Sequence, residues 1–173
     1  YVYDSGRKYF TRITNIVKDI AEQVPHLVVM PMHSFSVGGD DRYIQNSIAR
    51  KLKMSAVEIE VVQRPPTLQE AYEMFMSAKG CIGMRYHSVV FQTYLNGNNY
   101  IIDYTDPVNG KIRAFLDSFD RKGFYRKRYI NITVDEPSYL KIADCDDTFQ
   151  FDFQLMKDSV QYYNKLIGKI RQH

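Results

Sequence analysis

Apolar residues first fall at helical spacing in Phe10, Ile13, Ile16, Val17, Ile20 and Val24, which predicts an amphipathic helix over about 8–23, after an irregular start. Pro25 closes it. Leu27-Val28-Val29-Met30 is an unbroken apolar run of strand length and reads as a buried parallel strand ending at Pro31-Met32-His33. Gly38-Gly39 reads as a flexible loop, and Asp40 and Asp41 suit the first turn of a second helix carrying Ile44, Ile48, Ala49 and Leu52 on one face. From Val57 to Val62 apolar and acidic residues alternate, which predicts a strand with one wet face near a sheet edge. Beyond Pro65-Pro66, Thr67-Leu68-Gln69-Glu70 has the form of a capping box. The helix it opens would turn Leu68, Ala71, Tyr72, Phe75 and Met76 into the core and end at Gly80.

The pattern then condenses. Cys81-Ile82 predicts a short buried strand, Gly83-Met84-Arg85-Tyr86-His87-Ser88 a turn, and Val89–Leu95 a buried helix that begins near Ser88 and stops at Asn96-Gly97. Tyr100-Ile101-Ile102 is the next strand, ending at Asp103-Tyr104. Asn109-Gly110 then makes a turn before a helix from Lys111 to Phe119. Tyr129-Ile130-Asn131-Ile132 is a last strand candidate. Met156, Val160, Tyr163, Ile167 and Ile170 predict a closing amphipathic helix over 150–172. Strands and helices alternate throughout, the rhythm of βα units. The expected fold is one Rossmann-like α/β domain over 1–173, with three layers: a mostly parallel sheet and helices on both faces.

Composition narrows the function classes. With 173 residues, 45% hydrophobic, the chain can bury a core of its own, and it carries no apolar run long enough to span a membrane. A net charge of +3 does not argue for nucleic acid as a partner. The first residue is Tyr1, which suggests a domain of a longer protein whose other half would hold part of any shared site. Two cysteines, Cys81 and Cys145, are too few for a disulfide framework and favour a reducing compartment. Basic residues cluster from Lys111 to Arg128 and acidic ones from Asp135 to Asp152. These runs read either as solvated faces or as attraction for an anionic substrate or lipid surface, so peripheral membrane contact stays open around Arg126-Lys127-Arg128. The sequon Asn131-Ile132-Thr133 matches a glycosylation acceptor.

Open parallel sheets place ligands at the carboxyl ends of their strands. That rule collects His33, Arg85, Tyr86, His87, Ser88, Asp103 and Tyr104, with Asp103 and Tyr104 read mainly as turn and cap. Arg85 can offer a planar two-donor fork to a phosphate or carboxylate. An imidazole such as that of His87 suits general acid–base work. A helix beginning near Ser88 would add free N–H groups and a positive dipole end, with the Ser88 hydroxyl as a cap. Arginine, histidine and a helix N-terminus together favour an anion whose reaction needs a proton. No metal-ligand spacing, Gly-x-Gly-x-x-Gly or phosphate-loop signature occurs.

The stretch Gly83-Met84-Arg85-Tyr86-His87-Ser88-Val89-Val90-Phe91 resembles the G-x-R-x-H-[SA] segment of the polysaccharide pyruvyl transferase family. Tyr104 and then Lys111-Ile112-Arg113-Ala114-Phe115-Leu116 are similar to that family's tyrosine, lysine and Phe-Leu helix. Here, though, Thr105 to Gly110 intervene where the family has only a few residues. Val28–His33 with Asp40-Asp41 resembles the preceding strand-loop-helix, and Thr67–Glu70 the helix before the Cys81 strand. The resemblance implies the C-terminal, donor-binding half of a two-domain enzyme shaped like a glycosyltransferase of the two-Rossmann type. It implies phosphoenolpyruvate as donor substrate with no further cofactor, and a bacterial surface glycan or lipid-linked precursor as acceptor. It also implies a cytoplasmic enzyme, at the inner face of the membrane if the acceptor is lipid-linked. Arg85 would bind the donor's phosphate or carboxylate and His87 would be the acid–base residue. Ser88, His33, Tyr104 and Lys111 would complete the substrate contacts. Two other readings stay open: half of a nucleotide-sugar glycosyltransferase, and a non-catalytic anion-binding domain.

Overall fold

A computed structural model describes residues 2–34, 40–53, 57–120, 122–134, 147–150 and 161. The expected Gly38-Gly39 loop, the closing helix over 150–172 and Cys145 lie outside these, Gln150 and Gln161 excepted. In chain order the elements are α1 (Val2–Ala21), β1 (His26–Val29), α2 (Asp41–Leu52), β2 (Glu58–Val61), α3 (Leu68–Ser77), β3 (Cys81–Gly83), α4 (Tyr86–Leu95), β4 (Asn99–Asp103), α5 (Lys111–Phe119) and β5 (Tyr129–Asn131). A 3₁₀ turn, Phe124–Lys127, precedes β5. Strand and helix alternate as the hydrophobic rhythm requires, and every strand pairing is parallel. The fold is mixed α/β and Rossmann-like.

Among the described residues the hydrogen-bonded strands form two sheets instead of the single one expected: β1-β2, and β3-β4-β5. One core nevertheless spans both. Ile13, Ile16, Val17 and Ile20 of α1 and Ile48 and Leu52 of α2 pack with Tyr100 and Ile102 of β4 and with Ile130 and Ile132, and Leu27, Ile59 and Ile82 join them. On the opposite face Val89 of α4 and Ile112, Phe115 and Leu116 of α5 close over Ile101. Successive residues of β4 thus serve opposite faces, α1 and α2 on one side and α4 and α5 on the other. That is the predicted three-layer arrangement, and β4 is buried along its whole length as a central parallel strand must be.

Several local expectations are corrected. Helix α1 begins at Val2, six residues before the expected start at about 8. Strand β1 alternates exposed and half-buried positions, because only one of its faces meets the core. The stripe on α3 is not core: Leu68, Tyr72 and Met76 are 76%, 45% and 51% exposed, and only Phe75 is buried. The helix lies at the rim, where the strand behind it is an edge, so its spacing is amphipathic without a covering layer. Its capping box forms as predicted, with Thr67 accepting from the Glu70 N–H and Glu70 from the Thr67 N–H. The C-cap is Ala78 in extended conformation, not Gly80. The basic stretch is not one surface. The Arg128 guanidinium is buried over the Tyr100 and Phe124 rings, 5.0 and 4.4 Å from their centroids, and donates to Asn98 Oδ1 and the Asp147 carbonyl. Only Arg126 and Lys127 of that triplet face solvent. The sequon is closed as well: Asn131 is buried, its Nδ2 donates to the Thr105 carbonyl and its Oδ1 accepts from the Thr133 N–H. Among the described residues, no helix is long and apolar enough to cross a membrane.

Candidate functional site at the start of α4

The turn between β3 and α4 is shaped from both ends. At Gly83 the strand runs so close to α4 that a Cβ would lie 2.6 Å from Gln92 Oε1 and 2.8 Å from Val89 Cγ2, so only glycine fits. Helix α4 starts at Tyr86, two residues earlier than expected. Ser88 is therefore already inside the first turn, buried, with its hydroxyl donating to the Arg85 carbonyl at 2.7 Å and accepting the Arg85 N–H at 3.2 Å. It satisfies one of the N–H groups a helix start leaves unpaired, and it sets the turn that presents Arg85. The far end of α4 closes at Gly97, whose positive φ of 73° suits glycine and whose N–H returns to the Gln92 carbonyl at 2.9 Å.

Arg85 projects to a partner from a distant part of the chain. Its Nε lies 2.9 and 3.0 Å from the two carboxylate oxygens of Asp41, and its Nη2 lies 2.6 Å from Oδ1. Both side chains are about four-fifths shielded, at 21% and 22% exposed. Asp41 is itself fixed, because Oδ2 accepts from the Met32 and His33 N–H groups at 3.1 and 2.9 Å and its own N–H donates to the His33 carbonyl at 2.9 Å. The ion pair thus ties the carboxyl end of β1 to the start of α4, across the gap between the two sheets. Asp40, one residue before, caps α2 through the Arg42 N–H and holds the Arg42 guanidinium. The Arg42 hydrogen bonds keep the Asp40 carboxyl below its usual range.

Tyr104 stands beside this pair. Burial pushes its hydroxyl above the ordinary tyrosine range, the Arg85 cation opposes that rise, and the Asp41 and Asp103 carboxylates add to it. Asp103, fully buried at the end of β4, accepts from the Thr105 N–H and hydroxyl at 2.8 and 2.7 Å and from the Tyr129 hydroxyl at 2.9 Å. It is a structural group that builds the loop after β4, and burial pushes the Tyr129 hydroxyl up to about 12. In that loop Asp106 accepts the Val108 and Asn109 N–H groups, which tightens the turn before α5.

The structure therefore gathers His33, Arg85 and Tyr104 around Asp41. His87 lies on the same helix turn, exposed, with its ring edge-on to Tyr86 at 5.6 Å. Lys111 stands apart, exposed at the first position of α5, with no hydrogen bond or ion pair to that group among the described residues. The residue that sequence reasoning missed is Asp41. An acidic residue in the first turn of a helix has a sufficient local explanation, and nothing in the spacing from 41 to 85 signals a pair. Two surface grooves, of about 490 and 620 Å³, lie elsewhere: one beside Glu60, Arg64 and Met74, the other along α2 beside Arg42, Asn46 and Lys53. Both are open troughs at the β2 edge. Among the described residues, no group of His, Cys, Asp and Glu is placed to hold a metal ion.

Comparison with protein-family models, curated proteins and solved structures brings no match to this chain. The class it belongs to, a parallel α/β domain, rests on its own coordinates.

Proposed function

We propose that this chain is the donor-binding half of a pyruvyltransferase that moves the pyruvyl group of phosphoenolpyruvate onto a sugar of a surface glycan or its precursor. One observation carries the reading: Arg85 and His87 share the first turn of α4 at the carboxyl end of a parallel strand. The resemblance of the Gly83–Phe91 segment to the polysaccharide pyruvyl transferase family names the donor. A cation held in place and an exposed imidazole two residues further along the chain are what this donor's chemistry uses.

In that reaction His87 gives a proton to the methylene carbon of phosphoenolpyruvate, which becomes the methyl group, and positive charge develops at C2. A sugar hydroxyl oxygen bonds to C2 and releases its proton to a base. The bond from C2 to the phosphate oxygen breaks, phosphate leaves with the electron pair and is neutralised by Arg85, and a second hydroxyl oxygen bonds to C2 and returns its proton to the His87 imidazole, which closes the ketal. Tyr104, beside Arg85, and His33 line the same edge, while Ser88 shapes the turn from within. Lys111 would reach the donor only by extending from the start of α5. The acceptor's groups would come from the other half of the enzyme, with the work done in the cytoplasm next to the membrane. Half of a nucleotide-sugar glycosyltransferase is the second reading, favoured by the parallel α/β architecture alone.

The test has two arms. Phosphoenolpyruvate added to this chain should shift the amide resonances around Met84–Val89 and raise the melting temperature. His87→Ala in the full-length protein should abolish phosphate release from phosphoenolpyruvate in the presence of glycan precursor. No shift, together with full activity of the variant, sinks the proposal. Saturable binding of a nucleotide sugar instead moves the assignment to the second reading.

A further inference from the structure

We infer that Asp41 is a positioning residue for the donor anion, holding Arg85 by one edge of its guanidinium so that the other edge is left as a fixed fork; this rests on the donor reading above. The contacts divide the guanidinium cleanly. Asp41 takes the Nε–H and one Nη2–H. The Nη1 hydrogens and the second Nη2–H have no hydrogen-bond partner among the described residues, and together they form the end-on pair of parallel donors that fits a phosphate or carboxylate. An arginine on a flexible stem would have to order its side chain each time it bound. Here the ordering is built in, because Asp41 is clamped by the Met32 and His33 N–H groups and cannot follow Arg85 if it moves.

The sign of one substitution separates positioning from simple charge. Asp41 is an anion beside a proposed anion site, so through-space repulsion alone predicts that Asp41→Asn tightens donor binding. Positioning predicts the reverse: phosphoenolpyruvate binds about tenfold more weakly to D41N, the scale of one charge-assisted hydrogen bond. It also predicts that the loss disappears in an Arg85→Lys background, where there is no fork to orient.

The experiment uses the ¹⁵N-labelled chain. The Arg85 Nε–Hε resonance is identified by its absence from Arg85→Lys. It should be sharp in the wild type and broadened by exchange in Asp41→Asn. Phosphoenolpyruvate is then titrated into the wild type, both single variants and the double variant, with amide peaks remote from the site confirming an intact fold. Asp41→Ser, smaller and uncharged, is the second variant if asparagine perturbs the fold. Unchanged or tighter binding by D41N, an equal loss in the Arg85→Lys background, or an Nε–Hε signal indifferent to the substitution overturns the inference. A wild type that shows no response to phosphoenolpyruvate overturns the donor reading instead. The Nε–Hε comparison needs no ligand and still decides whether Asp41 holds Arg85.

Discussion

Replacing Gly83 by alanine tests the packing on which the candidate site stands. The backbone at Gly83 is not in the left-handed region, so the cost is steric and not conformational. The added methyl would meet Gln92 Oε1 at 2.6 Å, Val89 Cγ2 at 2.8 Å and Val89 Cα at 3.3 Å. None of these can yield cheaply. Val89 is fully buried, and Gln92 is anchored by its Nε2 to the Ile82 carbonyl. Relief requires α4 to move away from β3, at about 1–3 kcal/mol for overpacking a filled site. At about 2–4 °C per kcal/mol for a chain of this size, the melting temperature should fall by roughly 2–12 °C. Gly80→Ala is the internal control, since its Cβ would approach only Asn98, at 3.3 Å and beyond. It should cost less, about 1 kcal/mol or under, because its tightest contact is 3.3 Å and not 2.6 Å. Differential scanning calorimetry of the two variants gives the comparison, and the Arg85 Nε–Hε resonance reports whether the α4 start has shifted. A Gly83→Ala protein melting within 1 °C of the wild type, or no lower than Gly80→Ala, would refute the reasoning.

Other expectations follow from single residues. Arg128→Lys should lose about 1–3 kcal/mol of stability, because an ammonium cannot stack between the Tyr100 and Phe124 rings or reach both Asn98 and Asp147. Arg126→Ala should stay within about 0.5 kcal/mol, both variants being compared with the wild type by urea titration. Glu70 is held to about 2 by the Arg64 guanidinium and then by the Thr67 N–H. Its folded pKa therefore lies below the unfolded one, so its contribution is present above about pH 4.5 and fades as the pH falls toward 2. Urea midpoints of the wild type and Glu70→Gln should differ at neutral pH and converge across that window; a constant offset would contradict the pairing. The Cys81 thiol is pushed up to about 12 by burial, so iodoacetamide at pH 8 should leave the Cys81 peptide unmodified in the native chain and label it in urea.

Most of the architecture was legible because burial imposes a period. The strand and helix alternation, the α3 capping box and the inward faces of α1, α2 and α5 were all readable from spacing within one element. The errors came where a local pattern had more than one tertiary use. Leu68, Tyr72 and Met76 share a stripe whether or not a layer covers it, and Gly80 follows a helix that in fact ends at Ala78. Arg128 looked like one cation among several until the fold folded two aromatic rings over it. Asn131 carried a sequon that its burial at the end of β5 closes.

The sequence by itself determined a parallel α/β domain and placed Arg85, His87 and Tyr104 at the carboxyl ends of strands. Those outcomes depend on residue order and on the side-chain periods of strand and helix. Only the tertiary structure decided that Arg85 meets Asp41, that Ser88 turns inward and that Lys111 stands apart. These depend on how the ends of two strands from different sheets are brought within reach of each other and on where α4 begins. A hydrogen bond between residues 41 and 85 has geometry and charge but no period, so it leaves no mark along the chain until the fold is closed.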